Sequence, residues 1–175
     1  MVLPALFIGR FQPLHNGHMH ALKEVFAKEK SLIVVIGSAQ ASFTPVNPFT
    51  TGERIEMVQA ALTALAVPCS RCLIVPVPDV DNFRIWVDHV IRYLPPFGAV
   101  YTGSDTVRGL FSETKHPVKS ITPYQRETLS STEVRRRMLS NEDWEELVPP
   151  FVAEIVKRTG GVERLQAISF ENPSA

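Results

Sequence analysis

Leu32-Ile33-Val34-Val35-Ile36 is an unbroken apolar run that ends at Gly37. A strand with one wet face alternates apolar and polar side chains. This run has no polar position, so it predicts a strand buried on both faces. Strands of that kind belong to parallel sheets covered by helices. Three more apolar runs agree with it. Leu3 to Ile8 stops at Gly9, Leu73 to Val77 follows in mid-chain, and Ala99 to Tyr101 precedes Gly103.

Helical patterns fill the intervals. His18 to Glu29 carries Leu22, Val25 and Phe26 at helical spacing, with Asn16 as its expected N-cap. Thr50-Thr51-Gly52-Glu53 fits a capping box ahead of the stripe Ile55, Val58, Leu62 and Leu65. Phe83 to Leu94 reads as a helix that ends before Pro95-Pro96. Ser130-Ser131-Thr132-Glu133 is a second capping box, and its helix runs on through Met138. From about 143 to 168 the pattern gives two or three short helices, broken at Pro149-Pro150 and Gly160-Gly161. The alternation predicts an α/β fold, a single Rossmann-like domain over residues 1–175. Helices cover both faces of its parallel sheet, and a small helical C-terminal part packs on it. In such folds ligands bind beyond the carboxyl ends of the strands. The loops after Ile8, Ile36, Val77 and Tyr101 are therefore where chemistry belongs.

Composition narrows the partners. Lys and Arg number 18 and Asp and Glu number 18, so the basic excess of a nucleic-acid binder is missing. No apolar run approaches the ~20 residues of a membrane span. The first residues lack the basic start of a signal peptide. The expectation is a cytoplasmic protein that binds neither nucleic acid nor membrane. Two cysteines make no disulfide framework and suit a reducing compartment. They stand as Cys69-Ser70-Arg71-Cys72, a C-x-x-C without the two further ligands that zinc needs. The pair precedes a strand, where a thioredoxin-like pair opens a helix.

The loop after the first strand carries the functional signal. The dinucleotide fingerprint G-x-G-x-x-G is absent, because Arg10-Phe11-Gln12 follows Gly9, and so is the phosphate loop G-x-x-x-x-G-K-[ST]. In their place stands Gly9-Arg10-Phe11-Gln12-Pro13-Leu14-His15-Asn16-Gly17-His18. Gly9 ends the strand and leaves its backbone open to approach. Arg10 sets a permanent, planar cation beside that point. His15 lies in the loop and His18 in the first helical turn, where free N–H groups and a partial positive charge attract anions. Gly17 keeps the backbone there uncovered. Two imidazoles, a guanidinium and a helix N-terminus on one point describe a polyphosphate site. As half of a metal site, His15 and His18 lack a nearby Cys, Asp or Glu. His20 reads as part of an exposed helix face. Ser130 to Arg137 repeats the theme, with small hydroxyl residues at a helix start followed by arginine. Arg135, one turn past Ser131, points at the helix mouth, whereas Arg136 and Arg137 read as a solvated basic face.

Gly-Arg-Phe-Gln-Pro-x-His-x-Gly-His with a later Ser-Ser-Thr-x-x-Arg resembles the nucleotidylyltransferase superfamily, and more closely its archaeal-type nicotinamide mononucleotide adenylyltransferases. Ile36-Gly37-Ser38-Ala39-Gln40, Asn47-Pro48-Phe49-Thr50-Thr51-Gly52-Glu53-Arg54, Pro76-Val77-Pro78-Asp79, Pro95-Pro96-Phe97 and Gly161-Val162-Glu163-Arg164 extend the likeness from about Leu6 to Leu165. The resemblance implies joining of ATP to nicotinamide mononucleotide, giving NAD and pyrophosphate, with Mg2+ held by the substrate phosphates and a homo-oligomeric assembly. It implies that His15 and His18 contact the ATP phosphates, His18 at the α-phosphate, and that Arg10 and Arg135 hold phosphates. Gly9, Phe11 and Gly17 fall to the ATP side with them. Ser131 and Thr132 bind polyphosphate, and Gly103 lies near the adenosine. Trp86 stacks on the nicotinamide ring, with a core aromatic as the competing reading, and Asp79 bonds the carboxamide or ribose. The sequence departs from the pattern on the acceptor side. Phe43 and Val46 replace a histidine and a basic residue before Asn47, and Phe83 stands where an asparagine is expected. Two other readings stay open on the residues alone: a sister enzyme with another phosphorylated acceptor or with CTP as donor, and a non-catalytic sensor of ATP or NAD.

Overall fold

The computed structural model describes residues 2–125 and 128–171. Its centre is a parallel sheet of β1 (Ala5–Gly9), β2 (Leu32–Ile36), β3 (Cys72–Pro76), β4 (Val100–Thr102) and β5 (Val118–Ser120), in the order β3-β2-β1-β4-β5. Phe7 faces Val34 on one side and Tyr101 on the other. The chain moves outward from β1 through β2 to β3, then returns across the sheet to β4 and β5. The crossovers therefore part company between β1 and β4, and a crevice opens at the carboxyl ends of those two strands.

Side chains on β1 and β2 alternate between two cores, as the two-residue period of a strand requires. Ala5, Phe7, Leu32, Val34 and Ile36 enter the larger core, and Leu6, Ile33 and Val35 the smaller. The larger core is closed by α1 (Asn16–Lys28), α2 (Thr51–Ala64), α5 (Ser131–Leu139), α6 (Pro150–Arg158) and α7 (Gly161–Glu171). On the other face α3 (Phe83–Arg92) and α4 (Asp105–Ser112) contribute Val90 and Phe111. Thr50 caps α2 as expected: its hydroxyl accepts from the Glu53 N–H at 3.2 Å, and the Glu53 carboxylate accepts from the Thr50 N–H at 2.8 Å.

Three details differ from the sequence reading. The N-cap of α1 is His15, not Asn16, because the His15 imidazole reaches the free helix N–H groups while Asn16 turns away to donate to the Glu146 carbonyl at 3.0 Å. Ser130 caps α5, but Glu133 does not return the bond; its carboxylate goes to Arg136 and Arg137. The segment after β4 also forms α4 and β5, which the apolar pattern did not reveal. Strand β5 holds a single apolar residue, Val118, because it is an edge strand with Lys119 and Ser120 exposed.

Candidate active site

The first-strand motif packs mainly on itself. Phe11 is buried with a left-handed backbone, φ 53°, and its ring lies back over Gly9. A Cβ at Gly9 would stand 2.8 Å from that ring, and one at Gly17 would stand 3.0 Å from the His15 imidazole. Both glycines thus make room for side chains of their own loop, and what approaches the Gly9 backbone is Phe11. Gln12 is buried and clamps the Phe49 backbone twice, at 2.9 and 3.0 Å, which ties this loop to the segment before α2.

The two imidazoles lie against each other, with ring centroids 3.8 Å apart and planes tilted by 32°. The His15 Nδ1 accepts from the Gly17 N–H at 3.1 Å, and the His18 Nδ1 accepts from the His15 N–H at 3.2 Å. A nitrogen that accepts carries no proton. Each neutral ring therefore bears its hydrogen on Nε2. Burial lowers the His15 pKa to about 4. It holds His18 well below the usual histidine value, with His15 adding to the effect. At neutral pH both rings are uncharged donors fixed in one tautomer by the backbone.

Around them a cleft of about 700 Å³ opens at the carboxyl ends of β1 and β4, lined by Ile8, Arg10, His15, Gly17, His18 and, opposite, Thr102 to Thr106. Gly103 forms bare wall: a Cβ there would meet nothing within 4 Å. A smaller hollow of about 250 Å³ shares Arg10 and His18 and is finished by Ser131, Thr132 and Arg135. The Ser131 hydroxyl is spent on the Pro13 carbonyl at 3.0 Å, so the N-terminal N–H groups of α5 are what this side offers an anion. Arg135 is buried; one Nη donates to the Gln12 carbonyl at 2.7 Å. Its pKa is lowered to about 10, by burial first and by the neighbouring Arg10 second. Among the described residues no carboxylate pairs with either guanidinium. Two arginines and two helix N-termini without a carboxylate between them suit a polyphosphate.

Arg136 and Arg137 behave as a solvated face, pairing with Glu133, Glu142 and Glu146. His20 is not freely exposed: it stacks under Tyr124, centroids 4.9 Å apart, and Tyr124 lines the cleft. Asp79, beyond β3, accepts from the Ser38 hydroxyl, and its N–H donates to Gln40 at 2.8 Å. Trp86 lies on α3, half-buried and edge-on to Phe111 with centroids 6.2 Å apart, so one side of its ring belongs to the smaller core. It does not line the 700 Å³ cleft. Asn82 caps α3, and Phe83 and Val46 are exposed. Phe43, at φ 56°, lies under the Arg164 guanidinium, 5.1 Å from its ring centre. Cys72 sits at the amino end of β3, away from the cleft, and burial raises its thiol pKa to about 11. Among the described residues no three His, Cys, Asp or Glu side chains are grouped to hold a metal.

The Cytidylyltransferase-like family model matches residues 6–137. The chain belongs to that family. Within it, the chain is 45% identical over 169 residues to a nicotinamide-nucleotide adenylyltransferase of Thermococcus kodakarensis, covering 97% of this chain and 90% of that one. It is 47% identical over 163 residues to the protein of the same name from Pyrobaculum neutrophilum, covering 93% and 92%. It is thus an enzyme of the nicotinamide-nucleotide adenylyltransferase family. Solved structures share the fold. A bifunctional NMN adenylyltransferase/ADP ribose pyrophosphatase from Francisella tularensis, complexed with AMP and a manganese ion, superposes with a TM-score of 0.75 at 23% identity. The match covers 95% of this chain, which spans only 52% of that longer protein. The Plasmodium falciparum nicotinic acid mononucleotide adenylyltransferase bound to NaAD gives 0.66 at 12% identity, over 93% and 98% of the two chains.

Arg54 escaped the sequence reading. Among the described residues it is the largest wholly buried side chain, on α2, and its guanidinium hydrogen-bonds there only to uncharged oxygens. Nothing at Gly52-Glu53-Arg54 sets it apart from a solvated helix residue, because the groups that bury it come from elsewhere in the chain.

Proposed function

We propose that the protein makes NAD and pyrophosphate from ATP and nicotinamide mononucleotide by in-line attack of the mononucleotide's phosphate on the α-phosphorus of ATP. An acceptor phosphate oxygen forms the new bond to that phosphorus. The bond to the bridging oxygen breaks, and pyrophosphate leaves with the electron pair. The nucleophile is already ionised at neutral pH, so no protein base is required. What remains for the protein is alignment and stabilisation of charge. The observation that carries this reading is the grouping of His15, His18, Arg10, Arg135 and the N-termini of α1 and α5 around a cleft and the smaller hollow that adjoins it through Arg10 and His18.

In this reading the His18 Nε2–H donates to the α-phosphate oxygens as charge develops there, and the His15 Nε2–H donates farther along the chain of phosphates. Arg10 and Arg135 clamp phosphate, with the N–H groups of Ser131 and Thr132 behind them. Gly9, Phe11 and Gly17 frame the ATP side, and the adenosine lies along Gly103. Trp86 and Asp79 serve the acceptor, the one by stacking, the other by accepting from the carboxamide or ribose. Mg2+ would be held by the substrate phosphates and would neutralise their charge. We also infer a cytoplasmic homo-oligomer. No helix among the described residues is long and apolar enough to cross a membrane.

The test is a matrix of nucleoside triphosphates and phosphorylated acceptors, including nicotinate mononucleotide, scored for pyrophosphate release. ATP with nicotinamide mononucleotide gives the highest kcat/KM. Release with another acceptor alone overturns the acceptor assignment, and no release with any pair overturns the catalytic roles.

A further inference from the structure

Arg54 is wholly buried on α2, yet among the described residues no carboxylate hydrogen-bonds to it. Its Nη1 donates to the Arg10 carbonyl at 3.2 Å and the Gly37 carbonyl at 2.7 Å. Its Nη2 donates to the Ser38 and Ala41 carbonyls, at 3.1 and 3.4 Å, and to the Thr51 hydroxyl at 3.0 Å. Its Nε donates to the Thr50 carbonyl at 3.3 Å. One guanidinium therefore joins the loop after β1, the loop after β2 and the start of α2.

An ion so placed is costly for mere packing: burial and the neighbouring Arg10 charge lower its pKa to about 10, and the Asp79 and Glu53 charges oppose that only in part. A leucine or methionine would fill the volume without that cost. The planar fork offers what they lack, fixed directions to several acceptors at once. Two of those acceptors govern Arg10. One is its own carbonyl. The other belongs to Gly37, over which the Arg10 stem passes: a Cβ at Gly37 would lie 4.0 Å from the Arg10 Cγ. The Gly37 N–H also donates to the Gly9 carbonyl at 2.9 Å, which ties Gly37 to the residue before Arg10. Arg10 itself is exposed.

We propose that Arg54 is a positioning residue that aims Arg10 at the reacting phosphates by pinning the Arg10 and Gly37 carbonyls. The inference rests on the proposed phosphate role of Arg10. A misplacement of about 1 Å at a reacting centre costs on the order of 100-fold in rate, which sets the scale of the effect.

A double-mutant cycle on kcat for pyrophosphate release from ATP and nicotinamide mononucleotide tests it, run on the full chain below each variant's thermal midpoint. Arg54→Lys keeps the charge and loses the fork. It is expected to lower kcat by roughly 10- to 100-fold in the parent and by less than about 3-fold in an Arg10→Ala background, because a residue that acts through Arg10 has nothing left to aim. A purely structural role moves the melting temperature and subtracts from kcat equally in both backgrounds; equal losses overturn the proposal, as does unchanged kcat in the parent. If Arg54→Lys does not fold, Thr51→Val, which removes one acceptor of the same guanidinium, runs the same cycle. A loss of about 3-fold that vanishes without the Arg10 side chain supports the proposal, and a loss that persists or never appears overturns it. Arg10→Ala with kcat and the KM for ATP unchanged overturns the phosphate reading itself. That result is distinguishable from a costly Arg10→Ala with additive Arg54→Lys, which sinks only the positioning role.

Discussion

His18 does two things through two nitrogens, and single substitutions separate them. Its Nδ1 accepts the His15 N–H and so completes the start of α1, while the ring lines the cleft and in the proposed reading donates there through Nε2–H. An asparagine side chain reaches about as far as Nδ1. His18→Asn therefore keeps an acceptor for the His15 N–H and removes the donor. Loss of one preorganised donor to a developing charge costs roughly 2.7–4 kcal/mol, or about 100- to 1,000-fold in kcat. The melting temperature stays near that of the parent, and the KM for ATP changes far less than kcat, since the interaction matters most in the transition state. His18→Gln does the reverse. Its amide approaches the Nε2 position but leaves the His15 N–H without its acceptor. Turnover then falls by roughly tenfold. A lost helix cap costs about 1 kcal/mol, which lowers the melting temperature by about 2–4 °C in a chain of this size. Pyrophosphate-release kinetics paired with thermal unfolding read both variants. The reasoning is refuted if His18→Asn turns over at the parental rate, or if its loss lies wholly in the KM for ATP.

Trp86→Ala weakens nicotinamide mononucleotide by about 5- to 150-fold, the worth of one aromatic stack, and leaves ATP binding nearly unchanged; an unaltered acceptor Kd in titration makes Trp86 a core residue only. Val46→Arg returns a cation to an exposed loop position and tightens the same acceptor by about 1.5–3 kcal/mol, a gain that shrinks as salt is raised; no tightening means the Phe43 to Asn47 loop faces away from phosphate. His15 binds its proton less tightly when folded, at about 4, than its ordinary 6.5, so the unfolded chain takes up protons first and stability falls as pH drops from 6.5 toward 4. Denaturant unfolding of His15→Asn, which keeps a capping oxygen, shows a shallower acid slope across that window; an identical slope assigns the acid sensitivity to other groups.

Much of the architecture was legible because it depends on local patterns. Leu32 to Ile36 declares a doubly buried strand by composition alone, and Thr50 with Glu53 declares a helix start by spacing. The short strand β5 is recognised by its pairing with Val100 to Thr102, a non-local fact that Val-Lys-Ser cannot announce. The N-cap of α1 went to the wrong residue because Asn outranks His in capping preference, whereas the His15 ring is delivered to the helix mouth by the loop before it. The grouping of Arg10, His15 and His18 at one cleft was visible, since the three are neighbours in sequence. Arg54 was not, because the Arg10 carbonyl that it serves lies 44 residues earlier and only the folded sheet brings the two together. Tyr124 was missed for the same reason: its place over His20 follows from the course of the chain after β5.

The glycines set where this enzyme is free to diverge. At Gly9 even one added methyl group strikes the Phe11 ring, and at Gly17 it crowds the His15 ring, so the proposed phosphate side has little room for gradual change at either position. Gly103 is the opposite case, an exposed wall with open space where a side chain would grow. Stepwise substitution there narrows the cleft on the side where the proposed reading lays the adenosine, while Arg10, His15 and His18 stay where they are. A shift in nucleobase preference is accessible to this fold by that route without dismantling the catalytic frame.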